Sequence, residues 1–331
     1  MKKFFTIFVL VAMMSACTKD LSHNNSFIAY TTAGINDTTW LNQPATNPLN
    51  DSLQRIFNSP DSYTDSFSEI TGKSFQFLGD DSLQLNFPAG CCINPADNSV
   101  IANGTIYFKI STLKLKGDFI RAMIPTSSNQ TILKANKVFN LKLWWNGQDV
   151  NINPLLPITL NWLDKNADNT IGFYTGDPLS NPDLVFTFGA APPTVGSVQV
   201  INYPSSSIVE GYHLTSSATN LFGLFNTYDA NTDNTRLNVI MPLNFTNKNT
   251  VVFAVFKNSQ TVIKLASDYS TRSFYTTGIP FNTVMTIVAL SKIDNHFYWA
   301  NKNIIFNSNN AVKVNPQEQS VADIDFALDG L

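Results

Sequence analysis

The residue pattern predicts an all-β protein: two β-sandwich-like domains in tandem with a short C-terminal helix. Three features carry that expectation. Apolar and polar residues alternate in runs, most clearly between Leu83 and Gly147. Such alternation belongs to strands with one buried and one wet face, as in antiparallel sheets. Asn- and Gly-rich turn signals separate these runs at short spacing, as in sandwiches and small barrels. In the tail, Val321, Ile324, Phe326 and Leu328 follow Pro316 in a pattern compatible with an amphipathic helix.

The chain has 331 residues, 44% of them hydrophobic and 12% aromatic, enough for sizeable cores. Charged residues are only 14%, against a usual quarter. Asn, Ser and Thr supply the polarity instead, which suits turns and exposed strand faces outside the cytoplasm. The net charge is -3 with no long basic run, so nucleic acid is not an expected partner. Beyond the first 16 residues no segment approaches the roughly 18 apolar residues of a membrane helix.

The chain opens with Lys2 and Lys3, then an apolar stretch from Phe4 to Met13. That stretch is too short to span a bilayer comfortably and reads as a signal peptide. Met14-Ser15-Ala16-Cys17 follows, with small residues directly before a cysteine. This resembles a bacterial lipobox. The resemblance implies cleavage before Cys17, acylation of Cys17, and anchoring through its acyl chains. Thr18 rather than Asp at the next position implies delivery to the outer membrane.

The expected organisation follows. Residues 1–16 are the signal peptide, and 17–65 the lipidated cysteine, a tether and a lead-in segment. Residues 66–190 form the first sandwich, 191–198 a linker, and 199–331 the second sandwich with its helix. The lead-in segment offers a short strand at Phe27–Tyr30 and a short helix at Leu49–Phe57. Asp37-Thr38-Thr39, Asp51-Ser52-Leu53 and Asp81-Ser82-Leu83 resemble an O-glycosylation signal of some envelope proteins.

In the first sandwich, Leu83, Leu85 and Phe87 form a strand that ends at Pro88 and Gly90. Ile106, Phe108 and Ile110 form the next, and the apolar parity then switches to Leu113. A strand that keeps burying one face must absorb a residue there, which predicts a β-bulge near Ser111-Thr112. Phe139, Leu141, Leu143 and Trp145 form a third strand, closed by the hairpin signal Asn146-Gly147. Ile158–Trp162 and Leu184–Phe188 complete the set. The Leu85–Gly90 and Val100–Leu113 stretches, followed by Pro125–Asn129 and Val138–Leu143, resemble a ZU5-type β-sandwich of bacterial envelope lipoproteins. The likeness covers about 80 to 100 residues and implies an interaction domain. Cys91-Cys92 departs from its pattern. Some relatives self-cleave at a His-Phe-Ser site. His296-Phe297-Tyr298 lacks that serine and lies in the other half, so self-cleavage is not carried over.

Ala190–Ser197, with Pro192-Pro193 and Gly196, reads as the linker. Beyond it, Val251–Phe256 is a near-continuous apolar run, expected as a central strand buried on both faces. Shorter strands follow at Val262–Leu265, Phe274-Tyr275, Val284–Leu290, Phe297–Trp299, Ile304–Phe306 and Val312–Val314. The tail is expected as a helix that begins near Pro316 and packs on the second domain.

Two loops suggest calcium chemistry. Asp164, Asn166 and Asp168, and likewise Asp229, Asn231 and Asp233, follow the pattern Asp-x-Asn-x-Asp-Asn. Alternate oxygen ligands on a tight loop can converge on a hard cation. The Gly expected at position six is Asn in both, and the Glu expected at position twelve is Thr175 or Ile240. Polar turns are the competing reading. Cys91 and Cys92 read as buried free thiols beside Phe87. The three histidines stand alone, without zinc-site spacing.

The sequence carries no nucleophile motif, redox cysteine motif or phosphate loop, so the chain is not expected to be an enzyme. The expected role is a membrane-anchored, non-catalytic binding or scaffolding lipoprotein of the cell envelope, with no cofactor unless calcium. One alternative is a surface glycan-binding protein. There Trp144, on the opposite face from Leu143 and Trp145, would stack on a sugar; otherwise Trp144 covers the interdomain seam. The other alternative is a secreted hydrolase with two convergent carboxylates. The expected partners are the membrane through its lipid, and an envelope protein or a glycan.

Overall fold

The computed structural model describes residues 36–42, 62–77, 83–128, 131–176, 187–202, 210–228, 235–307 and 310–331. The expected signal peptide, Cys17, the Phe27–Tyr30 strand, the Leu49–Phe57 helix and the Asp229–Asp233 loop lie outside them. The fold is all-β and sandwich-like, as expected, and built mostly of antiparallel sheets.

The first sandwich has a large sheet of eight strands. Its main path runs β1 (Ser62–Ser68), β5 (Thr105–Leu113), β7 (Thr131–Trp145), β15 (Asn220–Thr227), β11 (Gly172–Gly176) and β12 (Phe188–Ala190). Two short strands, β6 (Ser127–Ser128) and β8 (Gln148–Asp149), pair with β7. Facing it is a five-stranded sheet: β13 (Gly196–Asn202), β14 (Glu210–Ser216), β10 (Ile158–Leu163), β3 (Gln84–Phe87) and β2 (Lys73–Gln76). Phe108, Phe139, Leu141 and Phe222 of the large sheet meet Leu85, Phe87, Leu160, Trp162 and Tyr212 in one core. A separate short ladder pairs β4 (Cys92–Ile93) with β9 (Asn151–Ile152), and Cys92 and Ile152 enter the same core. The β7–β8 turn carries Asn146 and Gly147 at φ 50° and 76°, the left-handed pair that a tight hairpin demands.

The expected linker does not divide the chain. β13 begins inside it, and β14 and β15 follow within the first sandwich. β15 sits in mid-sheet between β7 and β11, with Phe222 and Leu224 in the core. The Pro-rich stretch is therefore a turn, and the first sandwich extends to Thr227. A turn signal records where the chain bends, not which sheet receives the next strand.

The second sandwich packs two further sheets. One orders β19 (Ala266–Asp268), β20 (Ser273–Thr277), β16 (Arg236–Ile240) and β23 (Asn310–Lys313). The other orders β18 (Val262–Lys264), β17 (Thr250–Phe256), β21 (Thr283–Ile293), β22 (His296–Phe306) and β24 (Gln317–Glu318). β17 is buried at every position, as its apolar run predicts. Val252, Ala254 and Phe256 enter the second sandwich's own core. Val251, Phe253 and Val255 point the other way, into a third core.

That third core joins the two sandwiches. Leu113, Leu133, Val138, Leu221 and Phe225 enter it from the large sheet, and Val288, Leu290 and Trp299 from the second sandwich. Two helices fill it, α1 (Lys116–Arg121) and α2 (Val321–Asp329), through Phe119, Ile120, Ile324 and Leu328. The tail helix thus begins at Val321, one turn and more after Pro316. Ser320 caps it by accepting from the Asp323 amide at 3.2 Å, and Gln317–Glu318 is an edge strand instead. The helix also packs on both sandwiches, not on the second alone.

The third core explains the parity switch in β5. The pairing with β7 runs without a slip from Tyr107↔Trp144 to Leu113↔Val138, so the expected bulge at Ser111-Thr112 is absent from this ladder. Ile110 faces the first core and Leu113 the third, because the sheet is buried on both sides there. A register shift occurs instead in the β15–β7 ladder, where Leu224 pairs with Lys137 and Phe225 with Ala135, leaving Asn136 of β7 as the extra residue.

The lead-in segment is not all tether. Trp40 packs on Phe274 with ring centroids 5.2 Å apart, in the second sandwich's core. Leu41 exchanges two hydrogen bonds with the Asn247 side-chain amide, and Asp37 pairs with Lys248 at 2.8 Å.

Candidate functional site

The Asp164–Asp168 loop folds as consecutive Asx turns. Asp164 Oδ1 accepts from the Asn166 amide at 2.9 Å, and Asp168 Oδ1 from the Thr170 amide and hydroxyl at 2.8 and 2.7 Å. The second oxygens are engaged too. Asp164 Oδ2 accepts from Asn136 and Asp168 Oδ2 from Asn226. The Asp168 amide donates to the Tyr212 hydroxyl at 2.7 Å, which ties the loop to the first core. Thr170, through its amide and its hydroxyl, holds the Asp168 carboxyl below the usual range. One oxygen of each carboxylate thus serves the loop's own backbone, as in Asx turns, and the other an asparagine side chain.

Trp144 stands elsewhere than at the seam. Six residues of strand, about 20 Å, separate it from Val138 in the third core. At that end no core cluster of the described residues includes the outer face of the large sheet. Register places Ser66, Tyr107, Trp144 and Asp149 in one cross-strand row, with Thr64, Lys109 and Lys142 in the next. The Tyr107 and Trp144 rings lie 14° from parallel, their centroids 6.1 Å apart. Tyr107 is 46% exposed and Trp144 half-buried. Trp145, on the opposite face, packs against the first core. The result is an aromatic pair fringed by hydroxyls, amines and one carboxylate.

The five-stranded sheet of the first sandwich also has an outer face, and it is uncharged along two rows. Gln199, His213, Asn161, Gln84 and Gln76 form one row, and Ser197, Thr215, Thr159, Asn86 and Ser74 the other. His213 Nδ1 and Asn161 Oδ1 are 2.6 Å apart.

A third cluster is buried. Glu69 follows β1 in a turn, and Cys91 and Cys92 follow the Phe87-Pro88 turn. The Gly90 amide donates to the Glu69 carbonyl, the Asn153 amide to that of Cys91, and the Ile101 amide to that of Cys92. Gly72, at φ 63°, lets the Glu69 turn press on Phe87, where a Cβ would strike the carbonyl oxygen. These turns bring Glu69, Cys91 and Cys92 together, each at most 1% exposed. The two sulfurs are free and 3.7 Å apart, too far for a disulfide. The Cys92 amide donates to Glu69 Oε1 at 2.6 Å, while Oε2 has no hydrogen-bond partner among the described residues. Burial pushes the Glu69 carboxyl up, against the Cys92 amide and thiol. The Cys91 sulfur first, and then burial, push the Cys92 thiol up. The thiols are legible in the sequence, but Glu69, 23 residues before Cys92, is not. Its only signal is a lone Glu in a run otherwise rich in Ser and Thr.

An open groove of about 640 Å³ runs beside α2, between Trp299–Lys302, Lys313–Asn315 and Phe326. Its lining holds one carboxylate, Asp323, whose Oδ2 accepts from the Ser320 hydroxyl. No protein family, curated protein or solved structure matches this chain.

Proposed function

We propose that this chain is a lipid-anchored, non-catalytic binding protein of the bacterial outer membrane, and that its ligand is a glycan held on the Tyr107–Trp144 face. The observation that carries this reading is the near-parallel ring pair on an open sheet face. Aromatic faces offer large contact area at small entropic cost, and sugars present C–H faces that stack on them. Lys109, Lys142, Thr64, Ser66 and Asp149 stand within the two rows to meet hydroxyls.

The anchor is carried by the lipobox-like Met14–Cys17 sequence. Twenty residue steps lead from Cys17 to Asp37, which docks on the second sandwich. Fully extended they reach about 70 Å, so the binding face can stand well clear of a bilayer. Metabolic labelling with a fatty acid tests the anchor: wild type takes up label and Cys17→Ser does not. Native gels cast with polysaccharides test the ligand. Wild type is retarded in at least one glycan, and Trp144→Ala and Tyr107→Ala run free with unchanged melting. Equal retardation of all three proteins would overturn the reading.

A further inference from the structure

We propose that Glu69, Cys91 and Cys92 form a binding site for a thiophilic divalent cation of the zinc class, held by two thiolates and one carboxylate. The site is independent of the glycan face. One carboxylate oxygen of Glu69 and both sulfurs lie within 4.8 Å of one another. A tetrahedral ion that holds two sulfurs at about 2.3 Å keeps them about 3.8 Å apart. The observed separation is 3.7 Å, whereas a disulfide would need about 2.05 Å.

Glu69 is the independent witness. It is 1% exposed, its Oε1 is fixed by the Cys92 amide, and its Oε2 is left without a partner among the described residues. No Lys, Arg or His among those residues contributes to its electrostatics. The Cys92 amide and thiol are neutral partners, so the carboxylate lacks a counter-charge among the described residues, and buried charges elsewhere are paired or bind metals. The two thiols beside it are themselves proton-releasing ligands, so the missing complement is a cation, and sulfur selects a soft one over calcium. The backbone around the site is already satisfied by the three turn hydrogen bonds, so the ligating side chains sit on a braced frame. Three protein ligands leave a fourth tetrahedral position for a small exogenous donor.

The test uses the full chain, reduced, stripped with chelator and desalted. Zn²⁺ and Cd²⁺ are then added alone. One equivalent per chain should survive desalting, and cadmium should give a sulfur-to-metal charge-transfer band. Either ion should slow alkylation in the native protein, read on the peptide that carries Cys91 and Cys92. Glu69→Gln, nearly isosteric, should keep the sulfur band but lose more than the roughly 10- to 100-fold in affinity that follows removal of a group outside the ligand set. The double change of Cys91 and Cys92 to Ser should abolish the band. Failure of the wild type to retain either ion, or alkylation at the same rate with and without metal, overturns the proposal without touching the glycan reading. So does mass spectrometry of the untreated protein that finds Cys91 and Cys92 already joined as a disulfide. The alkylation readout needs no variant and so survives any folding defect the substitutions cause.

Discussion

Strands β5 and β7 each pass through two environments. At one end they carry Tyr107 and Trp144 on one face, with Ile106, Phe108 and Leu143 buried behind. At the other end Leu113 and Val138 lie under α1 and α2, so both faces are dry. The same sheet is thus a surface at one end and an interior layer at the other. A strand's alternation therefore reports what covers it, residue by residue, and is not a property of the strand alone. No described residue covers the open end. The covered end holds two sandwiches together.

Substitutions should separate the two ends by the size of their cost. Phe225, 1% exposed and 4.4 Å from Phe188, sits in the covered end. Phe225→Ala should cost about 3–5 kcal/mol in urea melts, as large aromatic truncations in cores do. Tyr107→Ala at the open end should stay within about 0.5 kcal/mol of wild type. Similar costs at both ends would mean that the open face is covered after all.

Arg121 is the polar element of the covered end. It is 7% exposed and pairs with Asp325 at 2.6 Å, Asp329 at 2.5 Å and Asp118 at 3.2 Å. It also donates to the Asp325 carbonyl, which clamps α1 to α2. Arg121→Ala leaves Asp118, itself buried, without its cation, and should cost about 3 kcal/mol. Hydrogen exchange should then show α2 opening before the sheets do.

Gly117→Ala is a smaller perturbation of the same seam. A Cβ there would collide with the carbonyl oxygen of Leu328, so α2 must shift. The expected loss is about 1–3 kcal/mol, read in the same urea melts, with the sandwich cores undisturbed.

The smallest effect concerns the docked lead-in segment. Lys248 first, then the Thr39 amide, hold the Asp37 carboxyl at about 2. Its folded value is depressed, so its contribution is present above the unfolded value near 3.8 and is lost as pH falls toward 2. Trp40 emission should shift to the red across that window, and Asp37→Asn should remove the shift. A Trp40 signal that ignores pH between about 4 and 2 would detach this segment from Asp37's charge.

Much of the strand pattern was legible. Leu85 and Phe87, Ile106 to Ile110, and Val251 to Phe256 occupy strands where their periodicity puts them. Asn146-Gly147 makes the hairpin its backbone freedom predicts. The β5 parity was legible too, but its cause was not, since a bulge and a second buried face leave the same trace. The Asp164 loop shows the same limit: one pattern serves both ligands and Asx turns, and only the direction of each oxygen decides. Glu69 was not legible at all, because its contact with Cys92 spans 23 residues and several turns.

The β class, the position of most turns, the pair of adjacent thiols and the lipobox-like start follow from the linear chain, because each depends on near neighbours. That β13 to β15 return to the first sandwich, that α2 wedges between both, and that Glu69 meets Cys91 and Cys92 follow only from assembly. These depend on which surfaces meet, and pairing between distant strands is set by burial summed over the whole fold. A local pattern can state that a face must be covered; what covers it is settled only when the sheets come together.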